Sequence, residues 1–222
     1  MRLKASIKRP SKSELIYNPA PLSWCPDTSN WTVEQKREEF SKCKADPIYF
    51  LKRYGAIQHQ QRGKIRFELR KYQEDVIRNI FTNKNLAINK CRQMGLSTVV
   101  AAFAAWLAIF YPDKYSLIIA TKAAVAKGFL DKWKLIYQYT PKWMKPGVTE
   151  WNKMSVVLSN GSTWIVSTTT ADAGISFSIS LLVVDECAVI GKKMENIWTA
   201  CAPTISTGGK AVVLSTPRGA SG

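Results

Sequence analysis

The chain has 222 residues, 46% of them hydrophobic, with 32 Lys+Arg against 16 Asp+Glu and a net charge of +16. That length suits one large domain, or one domain with a small appendage, and the apolar share is enough for a substantial core. Five widely spaced cysteines with no C-x-x-C pair, and a single histidine (His59), argue against a zinc site or a disulfide framework and suit a reducing compartment. The charge favours a polyanionic partner, most simply nucleic acid. Residues 1–90 are the more basic part, with 19 Lys+Arg against 9 Asp+Glu. The start, MRLKASIKRPSKSEL, has no apolar stretch behind its charges and does not read as a signal peptide. The apolar run from Thr98 to Tyr111 is too short to span a bilayer and reads as a buried helix.

Residues 1 to about 30 are rich in Pro, Ser, Asn and Lys and read as an extended basic arm. Thr32 is a helix cap with Glu34 in the first turn, and Asp46-Pro47 opens a short amphipathic helix, DPIYFLKRYGAI. GKIRFELRKYQEDVIRNIF is first strand-like, then helical. The division this suggests is an arm and helical lid part over 1–64, followed by a core over 65–222. Within the core, strands are expected at 85–89, 115–121, 163–169, 180–186 and 210–216. Several are near-continuous Val/Ile/Leu runs, as parallel strands buried on both faces are. Helices are expected at 97–111, 122–139 and 194–200. Asn160-Gly161 between two apolar runs signals a hairpin. The pattern predicts an α/β domain with a mainly parallel sheet flanked by helices and one inserted hairpin.

Four motifs carry chemistry. NKCRQMGLST follows one strand and opens a helix, which is how a phosphate-binding loop is built. SLLVVDECAVI ends a strand in Asp185-Glu186. Ligands bind at the carboxyl ends of strands in open α/β sheets. Asp185 suits a Mg²⁺ ligand there, and Glu186 suits a base that orients and deprotonates a water. VVLSTPRG ends a further strand in Ser215-Thr216-Pro217, whose hydroxyls suit a γ-phosphate or its water; the same residues also favour an ordinary turn. Gln73 in LRKYQEDVI has an amide able to pair with both edges of adenine, though it also fits a solvated helix position. Trp133, Trp143 and Trp151 read as packing residues, His59 as solvent-facing, and Cys91 and Cys187 as small fillers.

In their order and spacing, DPIYFLKRY, LRKYQEDVI, KCRQMGLST, PGVTEWNKMSVVLSNGST, LLVVDECAVI and LSTPRG resemble the ATPase domain of the large terminase subunit of tailed bacteriophages, closest to the T-even type. The resemblance covers about residues 45–220. It implies a P-loop NTPase of the ASCE/RecA type with a small lid, using ATP and Mg²⁺ to drive double-stranded DNA into a procapsid in the host cytoplasm. It implies a portal protein and a small terminase subunit as partners, and a homo-oligomeric ring. A nuclease domain usually follows in the family; the residues here stop just after Ser215-Thr216-Pro217, so no cutting is expected of them.

The T-even pattern places a lysine where this chain has Leu96. A variant loop in the family places it first, in a K-x-x-x-x-G-x-S arrangement, and Lys90, Gly95 and Ser97 match that form. The resemblance thus assigns residues 90–98 (Lys90, Cys91, Arg92, Gln93, Met94, Gly95, Leu96, Ser97, Thr98) and Gln73 to ATP. It assigns Ser97 and Asp185 to the metal, Glu186 and Arg92 to catalysis, and Ser215, Thr216 and Pro217 to coupling. The family usually carries an arginine in the loop before the Asp-Glu strand. That loop reads TADAGISFSIS here, with Ile175 or a neighbour in its place; either Arg92 or Arg218 does this work, a lysine substitutes, or the isolated chain is slow. The rival classes are a helicase-like DNA translocase, which shares these motifs and needs a second P-loop-type domain, and a non-hydrolysing nucleic-acid-binding scaffold.

Overall fold

The computed structural model describes residues 19, 21–168, 178–191, 193–206 and 208–217. Residues 1–18 and 20 of the arm expected over 1 to about 30, the loop around Ile175 and Arg218 lie outside them. Helix α1 (Val33–Ala45) begins with a capping box. The Thr32 hydroxyl accepts the Gln35 amide at 3.2 Å, and the Gln35 side chain accepts the Thr32 amide at 2.8 Å. Asp46 then caps α2 (Pro47–Tyr54) by accepting the Ile48 amide at 2.7 Å. Pro47 suits the first helical position, where an amide would have no intrahelical partner.

Strands β1 (Ala56–His59) and β2 (Gly63–Arg66) form a small antiparallel hairpin. His59 is half-buried, not solvent-facing: its Nδ1 accepts the amides of Gln61 and Arg62, each at 3.2 Å, and closes the turn. Helix α3 (Lys71–Thr82) leads into β3 (Asn85–Asn89), and α4 (Leu96–Phe110) follows. Next come β4 (Tyr115–Ala120), α5 (Ala123–Tyr139), β5 (Val148–Trp151), β6 (Ser155–Leu158) and β7 (Thr163–Thr168). The chain continues through β8 (Leu181–Val184), the one-turn α6 (Cys187–Ile190), α7 (Lys193–Ile205) and β9 (Lys210–Ser215). Helix α7 runs past the expected 200 and through Pro203.

Seven strands form one sheet in the order β3-β9-β8-β4-β7-β6-β5. The first five are mutually parallel, while β6 and β5 are antiparallel additions, of which β5 was not expected from sequence. Asn160-Gly161 turns β6 into β7 as expected. Gly161 has φ +81°, and a Cβ there would lie 2.1 Å from Asp113 Oδ1, so a larger residue would be strained and would push the Asp113 side chain aside. The central strand β8 is buried at all four positions, whereas edge strand β3 alternates between exposed and half-buried.

Helix α4 is buried at 12 of its 15 positions and is the hub of the core. Trp106 Nε1 donates to the Cys43 carbonyl at 2.8 Å, and the Phe110 ring lies 5.1 Å from both Phe40 and Phe50. Residues of α1 and α2 therefore share one apolar cluster with α4, α5 and one face of the sheet. The other face packs Leu117, Ile119, Leu182 and Val184 against Ile197, Cys201 and Ile205 of α7. Trp133 is fully buried, as expected of a packing residue. No helix among the described residues is long and apolar enough to cross a membrane.

One charged group sits inside the α1–α2 unit. Glu39 is 5% exposed, pairs with Arg53 Nε at 2.6 Å, and accepts from the Tyr54 and Tyr49 hydroxyls at 2.8 and 3.0 Å. Glu39→Ala strands two hydroxyls and a guanidinium. It should lower stability by about 2–3 kcal/mol, below the full buried-pair range because Arg53 keeps partial access to water. The urea midpoint at unchanged m-value measures this; an unshifted midpoint contradicts the role given to Glu39.

Candidate active site

Because β3, β9, β8 and β4 run parallel, their carboxyl ends share one edge of the sheet. Lys90 follows β3, Ser215 ends β9, Asp185 follows β8 and Thr121 follows β4. The loop from Lys90 to Gly95 then turns sharply into α4. Gln93 and Gly95 have φ of 64° and 70°, and Gly95 caps α4 without any side-chain hydrogen bond. The first amides of α4 thus point at the loop with the positive end of the helix dipole behind them, an arrangement that favours an anion.

The loop is held from behind by α3. Tyr72 Oη and Gln73 Nε2 both donate to the Met94 carbonyl, at 2.9 and 3.1 Å, while Gln73 Oε1 accepts the Arg70 amide at 3.0 Å. Gln73 is 7% exposed, with both ends of its amide engaged, which departs from the solvated position its sequence context allowed. It borders a cavity of about 350 Å³ shared with Phe67, Gly95 and Thr98.

In front of the loop, Lys90 Nζ donates to Asp185 Oδ1 at 2.8 Å and to Ser97 Oγ at 3.0 Å. Ser97 Oγ lies 3.4 Å from Asp185 Oδ2. Asp185 is 4% exposed, and its Oδ1 also accepts the Glu186 amide at 3.0 Å. Glu186 is held in the left-handed region at φ 55°, ψ 45°, which costs a non-glycine residue on the order of 1 kcal/mol. Its Oε2 lies 3.4 Å from the Thr121 hydroxyl. Ser215 ties two motifs together: its carbonyl accepts the Lys90 amide at 2.8 Å, and its hydroxyl accepts the Ala188 amide at 3.0 Å. Arg92, Glu186, Thr216 and Pro217 line a second cavity of about 170 Å³.

The residues singled out from sequence therefore converge. Lys90, Ser97 and Asp185 meet directly, and Arg92, Glu186, Thr216 and Pro217 surround one hollow. Leu96 turns its side chain into the core at 5% exposure, so only its backbone serves the loop. Cys91 is exposed, not a packed filler, and Gln93 is exposed as well. Met94 contributes its carbonyl while its side chain packs against the core. Thr121 and Tyr72 were missed. Thr121 carried the same signal as Ser215-Thr216, a hydroxyl residue closing a parallel strand, and Tyr72 adjoins Gln73.

A strand, a glycine-turned loop and an uncapped helix, facing an acidic pair on a parallel strand that is not its immediate neighbour, define a P-loop NTPase. Over residues 87–222 the chain matches the family described as terminase large subunit, T4likevirus-type, N-terminal. The chain belongs to that family. Solved structures of similar fold include the ATPase domain of the Thermus phage P74-26 large terminase, at 21% identity and a TM-score of 0.55, covering 69% of this chain and 67% of that one. The HK97 bacteriophage large terminase matches at 14% identity and a TM-score of 0.62, over 78% of this chain; this chain spans 37% of that protein. The UvsW helicase from bacteriophage T4 matches at 18% identity and a TM-score of 0.51, over 81% of this chain and 59% of that one. The helicase likeness is one of fold; the family match separates the two classes.

Gly95 is the most exacting position of the loop. A Cβ there would stand 2.9 Å from Gln73 Nε2 in a conformation that side chains rarely adopt. Gly95→Ala should lower stability by about 1–2 kcal/mol and loosen the Gln73–Met94 bond. Urea unfolding with amide exchange at Thr98 and Val99, which donate to the Gly95 carbonyl at 3.0 and 3.1 Å, reads the strain; an unshifted midpoint with unchanged protection there contradicts it.

Proposed function

We propose that this site binds ATP with Mg²⁺ and hydrolyses it, and that the chain uses the cycle to move double-stranded DNA through a portal into a procapsid. The observation that carries the reading is the convergence of Lys90, Ser97 and Asp185 within hydrogen-bond distance, with Glu186 adjoining, in a chain of the large terminase family.

The donor set fits a divalent cation. The Lys90 ammonium lies between Ser97 Oγ and an Asp185 oxygen, the two oxygens expected to hold Mg²⁺, and so acts as a stand-in cation among them. A Mg²⁺ held there by Ser97 and Asp185 would supply charge that offsets the phosphate oxygens. The flexible stem of Lys90 lets its ammonium turn from the carboxylate to the phosphates. The amides at the start of α4 cradle the phosphates. Glu186 orients and deprotonates the attacking water, with Thr121 fixing the carboxylate. Arg92, in the hollow with Glu186 and Thr216, meets the charge that builds at the γ-phosphate. Adenine occupies the side of the loop bordered by Gln73 and Phe67.

Glu186→Gln should leave ATP affinity nearly intact while turnover falls by roughly 10²-fold or more. Lys90→Ala should abolish turnover and weaken ATP binding beyond the effect of Arg92→Ala, which should act chiefly on turnover. Steady-state ATPase assays with parallel nucleotide titration measure these. Parental turnover in Glu186→Gln removes Glu186 from the mechanism, and a parent with no ATPase activity favours the non-hydrolysing scaffold.

The +16 charge supports direct contact with DNA phosphates. Binding to duplex DNA should be independent of sequence and should weaken steeply from low to moderate salt, as counterion release requires. Fluorescence anisotropy across a salt series tests it, and a flat response contradicts it. A homo-oligomeric ring, a portal protein and a small terminase subunit complete the proposed assembly.

A further inference from the structure

Leu96 leaves the loop without the lysine that normally follows its last glycine, and Lys90 stands at the Ser97–Asp185 end. A second cation approaches from another element. Lys132 of α5 lines the cavity of about 350 Å³ together with Gly95 and Thr98, on the flank of α4's first turn. Its Nζ lies over the Phe129 ring, 5.6 Å from the centroid, and donates to the carbonyl of Gly128 on the same helix at 3.1 Å. It makes no ion pair with a carboxylate among the described residues.

Burial pulls the Lys132 ammonium below its ordinary pKa; the field of Lys90 acts in the same direction, while Asp185 and Asp131 oppose it. Nζ therefore feels the charges of the phosphate site. Asp131 also lines the cavity but is exposed and forms no ion pair with Lys132, so a half-buried ammonium facing this cavity gains from an anion placed there. The neighbouring backbone is the part of such a loop that cradles α- and β-phosphates.

We propose that Lys132 is a second nucleotide-binding lysine, supplied by α5, that meets the α- and β-phosphates of the bound nucleotide. Lys90 serves the metal and γ-phosphate end, and Lys132 the opposite end of the chain of phosphates. This inference rests on the ATP reading of the site above.

The test is calorimetric titration of the purified chain with ATP, ADP and adenosine, in the parent and in Lys132→Gln, Lys132→Met and Lys132→Arg. Removing the charge should raise Kd for ATP and ADP by the same factor, about tenfold, the scale of one charge-assisted hydrogen bond. Adenosine affinity should be unchanged, and Lys132→Arg should recover most of the loss. Lys132→Met keeps the apolar stem over Phe129; it stands in for Lys132→Gln if circular dichroism shows that variant unfolded. Parental ATP affinity in a folded charge-removed variant overturns the proposal. So does a loss confined to ATP, which moves Lys132 to the γ-phosphate, or an equal loss for adenosine, which makes it a wall of the base pocket. A parent that binds adenosine but neither ATP nor ADP sinks the phosphate site as a whole and this inference with it, whereas parental ATP binding with unaffected variants sinks this inference alone.

Discussion

The contact between the Lys90 ammonium and the Asp185 carboxylate, 2.8 Å long and nearly closed to water, is the constraint on which the site depends. The two residues are 95 positions apart, and the parallel sheet is what joins them. Asn85 to Asn89 pairs with Ala211 to Ser215, and Leu181 to Val184 pairs with Lys210 to Val213. A slip of one residue in either ladder would turn every side chain to the other face and separate the charges. The uniformly apolar β8 does not itself fix the register; the strand ends do, where the Lys90 amide donates to the Ser215 carbonyl at 2.8 Å and the Asp185 amide to the Ile119 carbonyl at 3.0 Å. A buried pair of this kind adds little net stability, since desolvation offsets most of the attraction. Its value is positional: it keeps a cation and a carboxylate in register, and in the proposed function these are the lysine that phosphate would compete for and the carboxylate that would hold the metal.

The back of the site is as well supported as its front. Helix α4 must present its first amides at a fixed place, and it is gripped along its length by Trp106 against the Cys43 carbonyl and Phe110 against Phe40 and Phe50. The α1–α2 unit, whose own interior is the Glu39 network, therefore acts on the loop through the helix that the loop begins. Helix α3 completes the support through Tyr72 and Gln73 on one carbonyl. The strain in Gln93 and Glu186 persists because these surroundings over-determine it.

Much of this was legible in the residues. Runs such as Leu181–Val184 are too apolar and too short for anything but buried parallel strands, and Asn160-Gly161 announced its hairpin. The loop, the acidic pair and the Ser-Thr-Pro strand end were legible because local chemistry marks them. Strand β5 was not: Val148–Trp151 carries Thr149 and Glu150 in its middle and is a strand because β6 offers it an edge. Strand β1 escaped for a like reason, its register set by the His59 turn. The extension of α7 through Pro203 is held by Ile205 in the second core cluster, a tertiary effect invisible to propensity. Thr121 carried the strand-end hydroxyl signal but no motif around it, and Lys132 carried little local signal at all; its place beside the loop comes from how α5 lies against α4.

The position of the loop lysine has a mechanical corollary. A lysine on the first turn of α4 would transmit the pull of a phosphate to a helix. Lys90 is instead the residue directly after β3, with its amide clamped to the Ser215 carbonyl at 2.8 Å. Any tension along its side chain enters the sheet at the junction of two strands. From there it is one hydroxyl away from Ala188, at the start of α6, and one peptide away from Thr216. On the proposed reading, the gain or loss of a phosphate would be delivered as a load on strand ends, stiff along their axes, and would reach the Ser215–Pro217 segment without passing through a helix.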